Sequence, residues 1–100
     1  MTVSDTILAY PALEGIKLGL LSKVAIDRDL VLTAEYNKNL KQQVDLVAAD
    51  LYREAALTPN YKDGDQSETF SPEWMNKRAD EIYMRYGELS NVKNNILHGW

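Results

Sequence analysis

Apolar positions recur at helical spacing through most of the chain. Leu13, Ile16, Leu20 and Val24 step by three and four, and Leu21 widens the stripe. This predicts a helix from about Leu13 to Arg28. Gly15 and Gly19 fall inside it, each worth roughly 1 kcal/mol against alanine in a helix interior. Either the helix starts after Gly15, or a close neighbour requires the small residue. Leu40, Val44, Val47, Leu51 and Ala55 step by four, three, four and four, with Ala48 and Leu57 beside them. Thr33 is a suitable cap, and Pro59 disfavours helix at Thr58. A helix from about Ala34 to Leu57 would be roughly 36 Å long, the central element of a small domain. Lys41, Gln42, Asp45, Asp50, Arg53 and Glu54 fall mostly on its other side.

Two further helices complete the pattern. Ser71, Pro72 and Glu73 form a start signal, followed by Met75, Ala79, Ile82, Tyr83 and Tyr86 on one face and Gly87 as a stop. A short N-terminal helix of one or two turns holds Ile7, Leu8 and Ala9, with Ser4 or Asp5 as its cap, and ends before Pro11. Residues 59–71 form a long polar loop with turn chemistry at Asp63-Gly64-Asp65. The expected fold is all-α: three main helices plus a short N-terminal helix around a long central helix, with the polar loop before the last helix. Residues 1–88 read as one domain and 89–100 as a tail or short extra helix. The expected core is Leu13, Ile16, Leu20, Val24, Leu40, Val44, Val47, Leu51, Ala79, Ile82 and Tyr83.

Composition narrows the function. The chain has 100 residues, no cysteine and a net charge of -4. Without cysteine there is no thiol nucleophile, zinc-thiolate site or disulfide framework. An acidic surface is unsuited to duplex DNA, which selects basic faces. No basic and apolar leader is visible, and no uncharged run approaches the ~20 residues of a membrane span. The expected location is therefore the cytoplasm of a bacterial host, with no membrane partner.

Candidate chemistry is sparse. His98 is the sole histidine and has no base partner nearby in sequence. Asp63, Asp65 and Glu68 fail the calcium-loop pattern, because Glu68 falls where glycine is needed and Trp74 where glutamate is needed. Asp27 and Asp29 fail it too. No catalytic, cofactor-binding or metal set assembles, and the chain is not expected to be an enzyme or to need a cofactor. Large aromatics gather around the loop and at the end of the chain. Tyr61, Phe70, Trp74 and Trp100 are the candidate interaction surface, since such side chains serve protein contacts as well as cores.

The layout also carries a resemblance. Ile7-Leu8-Ala9-Tyr10, Ala25-Ile26-Asp27-Arg28-Asp29-Leu30, Leu32-Thr33-Ala34-Glu35-Tyr36, Val47-Ala48-Ala49-Asp50-Leu51-Tyr52 and Ala79 to Glu88 follow in order. Over roughly residues 5–88 this resembles a family of small uncharacterised proteins of Bacteroides-type genomes and prophages. More loosely, it is similar to the all-helical head–tail connector (adaptor) proteins of tailed phages. The connector resemblance implies a ring subunit, in the host cytoplasm or the virion, that contacts copies of itself and phage portal or tail proteins. It implies work by buried surface rather than by chemistry, and no catalytic residues. The competing expectation is a small cytoplasmic adaptor or regulatory module that grips a protein partner through the aromatic loop 61–74.

Overall fold

The computed structural model describes residues 1–57 and 71–92. Four α-helices follow in order: α1 (Val3–Leu8), α2 (Leu18–Asp27), α3 (Lys41–Leu57) and α4 (Pro72–Arg85). Single 3-10 turns at Lys38–Leu40 and Leu89–Asn91 precede α3 and follow α4. The architecture is all-α, and among the described residues there is no strand. The long central helix is α3: α1, α2 and α4 each pack on it and not on one another. Most of the loop expected over 59–71 lies outside the described residues.

The central helix is shorter than its apolar pattern predicts. It begins at Lys41, because the stretch that should open it is taken by the N-terminus. Val3 N–H donates to Ala34 C=O at 2.9 Å, Ser4 N–H to Leu32 C=O at 3.0 Å, and Tyr36 N–H to Met1 C=O at 2.9 Å. Val3 and Ser4 open α1, and the first N–H groups of a helix have no partner inside it. The carbonyls of Leu32 and Ala34 satisfy them from outside. Asn37 caps the 3-10 turn that leads into α3, accepting from Asn39 N–H at 2.8 Å, whereas Thr33 is the expected cap.

α1 is capped by Thr2, not by Ser4 or Asp5. Thr2 Oγ1 accepts from Asp5 N–H at 3.1 Å, and the Asp5 carboxylate turns back toward Thr2 N–H. α2 begins at Leu18 instead of Leu13. Backbone turns through Ala12 and Gly15, at φ +70° and +76°, replace its expected first turn. Leu13 and Ile16 are buried all the same, so these turns bring the same side chains inward.

Both α2 and α4 end in the two hydrogen bonds of a Schellman motif. In α2, Leu30 N–H reaches Ala25 C=O at 2.9 Å and Asp29 N–H reaches Ile26 C=O at 3.0 Å, with Asp29 at φ +55°. In α4, Glu88 N–H reaches Tyr83 C=O at 2.8 Å and Gly87 N–H reaches Met84 C=O at 3.3 Å, with Gly87 at φ +76°. The start of α4 is as its sequence predicts: Ser71 caps, Pro72 follows, and Ser71 Oγ accepts from Trp74 N–H at 3.0 Å.

The core is continuous, from Val3 and Ile7 of α1 to Ile82 and Tyr83 of α4. Leu20 and Leu40 are half-buried rather than buried. Leu57, at the end of the expected stripe, is 74% exposed. In α3 the six residues Val44 to Ala49 are all buried, Asp45 among them. A helix with neighbours on three sides has no free polar face there, which overturns the placement of Asp45 on the outside. Past Glu88 the chain continues to pack: Val92 is buried in the same core.

Gly19 and Gly87 should respond to alanine in opposite directions. A methyl on Gly19 meets nothing within 4 Å, so Gly19→Ala should raise stability by about 0.5–1 kcal/mol in dilute protein. Gly87→Ala forces a side chain into the left-handed region and should lower stability by about 1 kcal/mol or more. Urea unfolding midpoints measure both.

Candidate functional site

Three charged residues of α3, Asp45, Asp50 and Arg53, each anchor a different part of the chain. They are the most chemically distinctive groups of the molecule.

The first anchor, Asp50, works through Arg28. As the last, capping residue of α2 it points back over α3, where its guanidinium meets two carboxylates. Nε and Nη2 donate to the two oxygens of Asp50 at 2.6 and 3.1 Å. Nη1 and Nη2 donate to the two oxygens of Glu88 at 3.0 and 2.9 Å. Both pairs are two-pronged, the geometry that arginine forms and lysine does not. The two Schellman turns make this possible, one placing Arg28 and the other Glu88. Asp50 also accepts from the Tyr83 hydroxyl, and Glu88 from Asn91 Nδ2 at 2.8 Å. The hydrogen bonds from Arg28 hold the Glu88 carboxyl below its ordinary range. Burial, with Asp50 alongside, pushes the Tyr83 hydroxyl well up.

The second anchor is the buried Asp45. It accepts from the hydroxyls of Tyr10 and Tyr86 and from Lys41 Nζ at 2.8 Å, with Arg85 Nη1 at 3.6 Å. It thereby ties the turn after α1 and the end of α4 to the first turns of α3. Burial alone would raise its carboxyl. The hydrogen bonds from Lys41, Tyr10 and Tyr86 outweigh that and hold it below its ordinary value. Burial and the bond to Asp45 push Tyr10 upward.

The third anchor is Arg53, paired with the buried Asp80 of α4. It also donates to Asn76 Oδ1 at 2.8 Å, Asn76 C=O at 3.1 Å and Asn91 C=O at 2.7 Å. Its guanidinium lies 5.4 Å from the centre of the Tyr83 ring. Among the described residues every buried side-chain polar atom has a partner.

An open depression of about 440 Å³ lies beside the Arg28 anchor, lined by Asp27, Arg28, Asp29, Gln43, Leu46 and Asp50. Its one guanidinium is already shared between two carboxylates. Among the described residues, no group of three His, Cys, Asp or Glu side chains could hold a metal ion. No described helix is long and apolar enough to cross a membrane.

Of the four aromatics expected at an interaction surface, Tyr61, Phe70 and Trp100 lie outside the described residues, as do His98 and the acidic trio Asp63, Asp65 and Glu68. Trp74 is half-buried in the first turn of α4. Its ring meets Tyr52 edge-on at 5.6 Å, and the Tyr52 hydroxyl donates to Pro11 C=O at 2.7 Å. The anchoring set Arg28, Asp45, Asp50, Arg53, Asp80 and Glu88 was not anticipated from sequence. One signal pointed to it: Asp45 interrupts an otherwise apolar run from Val44 to Ala49.

Arg28→Lys should lower stability by about 1–2 kcal/mol, since a single ammonium cannot fork to two carboxylates. Glu88→Gln should then cost less in the Arg28→Lys background than in the native chain, a coupling read from a double-mutant cycle. The pH dependence has a definite sign. Asp45 and Glu88 have lowered values in the fold, so the unfolded chain binds more protons in acid. Their contribution is complete above about pH 5 and is lost as pH falls through the lowered values. Tyr10 and Tyr83 are raised, so their contribution holds below about pH 10 and is lost above it. Melting temperature against pH should show a plateau between these limbs, and Asp45→Asn should flatten the acid one.

Comparison with known proteins gives a family but no activity. No curated protein and no solved structure matches the chain. The family match spans residues 1–97 and so takes in every anchor described above. The chain belongs to the family of unknown function DUF6706.

Proposed function

We propose that this protein is a non-enzymatic interaction protein that works by assembling with copies of itself, as a phage head–tail connector-like subunit would. The observation that carries the reading is where large apolar side chains lie. Leu18 and Ile26 of α2 are 65% and 71% exposed, and Val31 just beyond is 61% exposed. The charged groups of the interior support it from the other side. Asp50 and Arg28 occupy each other, Asp45 is held by Lys41 and two tyrosine hydroxyls, and Arg53 by Asp80 and Asn76, which suits a rigid frame more than proton transfer. The sequence resemblance to connector proteins supplies the kind of assembly, with portal or tail proteins as further partners.

Light scattering after size exclusion, over a wide concentration range, tests the reading. Mass that climbs above the 11.4 kDa of one chain, or a discrete oligomer, is the expected result. A constant single-chain mass at the highest attainable concentration would overturn self-assembly.

A further inference from the structure

The outward face of α2 has features that nothing among the described residues explains. Leu18, Ser22 and Ile26 follow at intervals of four and so share one side of the helix. All three are exposed, as is Gly19 beside them. Added bulk at Gly19 would touch nothing, yet glycine weakens a helix there. The packing of the described residues gives no reason for the small residue.

The charges of α2 are also reversed. Helix dipoles favour acidic groups at the N-terminus and basic groups at the C-terminus. Here Lys17 occupies the N-cap position and makes no side-chain capping bond. Asp27 ends the helix and Asp29 follows it. Arg28, the cation at that end, is spent on Asp50 and Glu88. Lys23 pairs with Asp27 at 2.9 Å, an exposed contact that screens it only partly. Glu14 is the acidic residue nearest the other end in sequence. The two ends of the helix therefore differ in charge, in the sense opposite to what α2 needs for itself.

We infer that this face is an interface between two copies of the chain, α2 against α2, running antiparallel about a two-fold axis at Ser22. The inference rests on the self-assembly reading and names one contact in it; a two-fold contact closes at two copies, so a ring would be built by a further, heterologous contact between such pairs. Placing Ser22 on Ser22 sets Leu18 opposite Ile26 of the second copy, and Ile26 opposite its Leu18. Two apolar pairs result, one on each side of the axis. Gly19 and Ser22 lie between them, and their small size lets the two backbones approach. The same register sets the Lys17 end of each helix, with its free N–H groups, beside the Asp27–Asp29 end of the other. One face thus carries both halves of its own complement, as a two-fold contact requires. A parallel arrangement would bring like ends together. A single 10-residue helix presents far less than the about 800 Å² per partner of a stable interface, so the dimer is weak and depends on concentration.

The absence of cysteine gives a direct test. Ser22→Cys carries one thiol per chain, and the two-fold places it against its own copy. Lys77→Cys, on the exposed side of α4, is the comparison. Under mild oxidation Ser22→Cys should form disulfide-linked dimer at least roughly tenfold faster than Lys77→Cys, through the raised local concentration of its partner thiol. Adding Ile26→Asp to Ser22→Cys should remove that advantage, with an unchanged melting curve showing that the domain still folds. Equal rates for the two thiols would overturn the inference. If the native mass nevertheless rises with concentration, self-assembly stands and only the α2 contact falls. If the mass stays that of one chain, both fall together.

Discussion

α3 is covered on three sides, and that constraint decides where its own charged side chains must find partners. A helix buried through six consecutive residues has no solvent face to receive its polar positions. An unpaired charge in such a place is expensive, so each must find partners on the elements around it. Asp45 draws in the turn after α1 and the end of α4. Asp50 draws in the end of α2 and the residues after α4. Arg53 draws in the middle of α4 and Asn91. The backbones of the peripheral helices do not approach one another closely, so their mutual placement is set by these anchors and by the apolar core of α3.

The helix ends matter as much as the helices. Arg28 reaches both Asp50 and Glu88 because two chain reversals of one type bring it there. Asp29 takes the left-handed conformation at one of them, a position more often filled by glycine or asparagine. The burial of Leu30 against Ala25 and the fixed guanidinium next door offset that local strain. The local sequence and the tertiary pairing therefore specify the same geometry, which is what makes a small core sufficient.

Much of this frame was legible in the sequence. The four helices, the start of α4 at Ser71-Pro72, its stop at Gly87 and nine of the eleven expected core positions follow from periodicity and capping chemistry. What was hidden had two causes: residues distant in sequence completing each other's hydrogen bonds, and tight turns standing where the spacing suggests helix. The 34–36 segment has a helical pattern, but it is claimed by the first N–H groups of α1. Leu13 and Ile16 keep helical spacing, yet turns at Ala12 and Gly15 deliver them to the core. Asp45 reads as a surface residue until Tyr10 and Tyr86 arrive from 35 and 41 positions away. The anchors could not be read because an aspartate in an amphipathic helix has the same sequence signature whether water or a tyrosine hydroxyl meets it.

The anchors also bear on how a surface of this protein can work. α2 is fixed at one end by the Arg28 fork and along its length by Leu21, Val24 and Ala25. Side chains presented on a helix held this way lose little freedom when they are covered. Ordering cost is what usually separates a small apolar patch from a useful contact. A preorganised face of modest area can therefore associate weakly but specifically. A two-fold contact of this kind closes at two copies, and it strengthens a larger assembly where a further contact gathers the pairs and raises their effective concentration. In that arrangement the charged interior acts at a distance, holding a short stretch of apolar surface in the shape a second copy can meet.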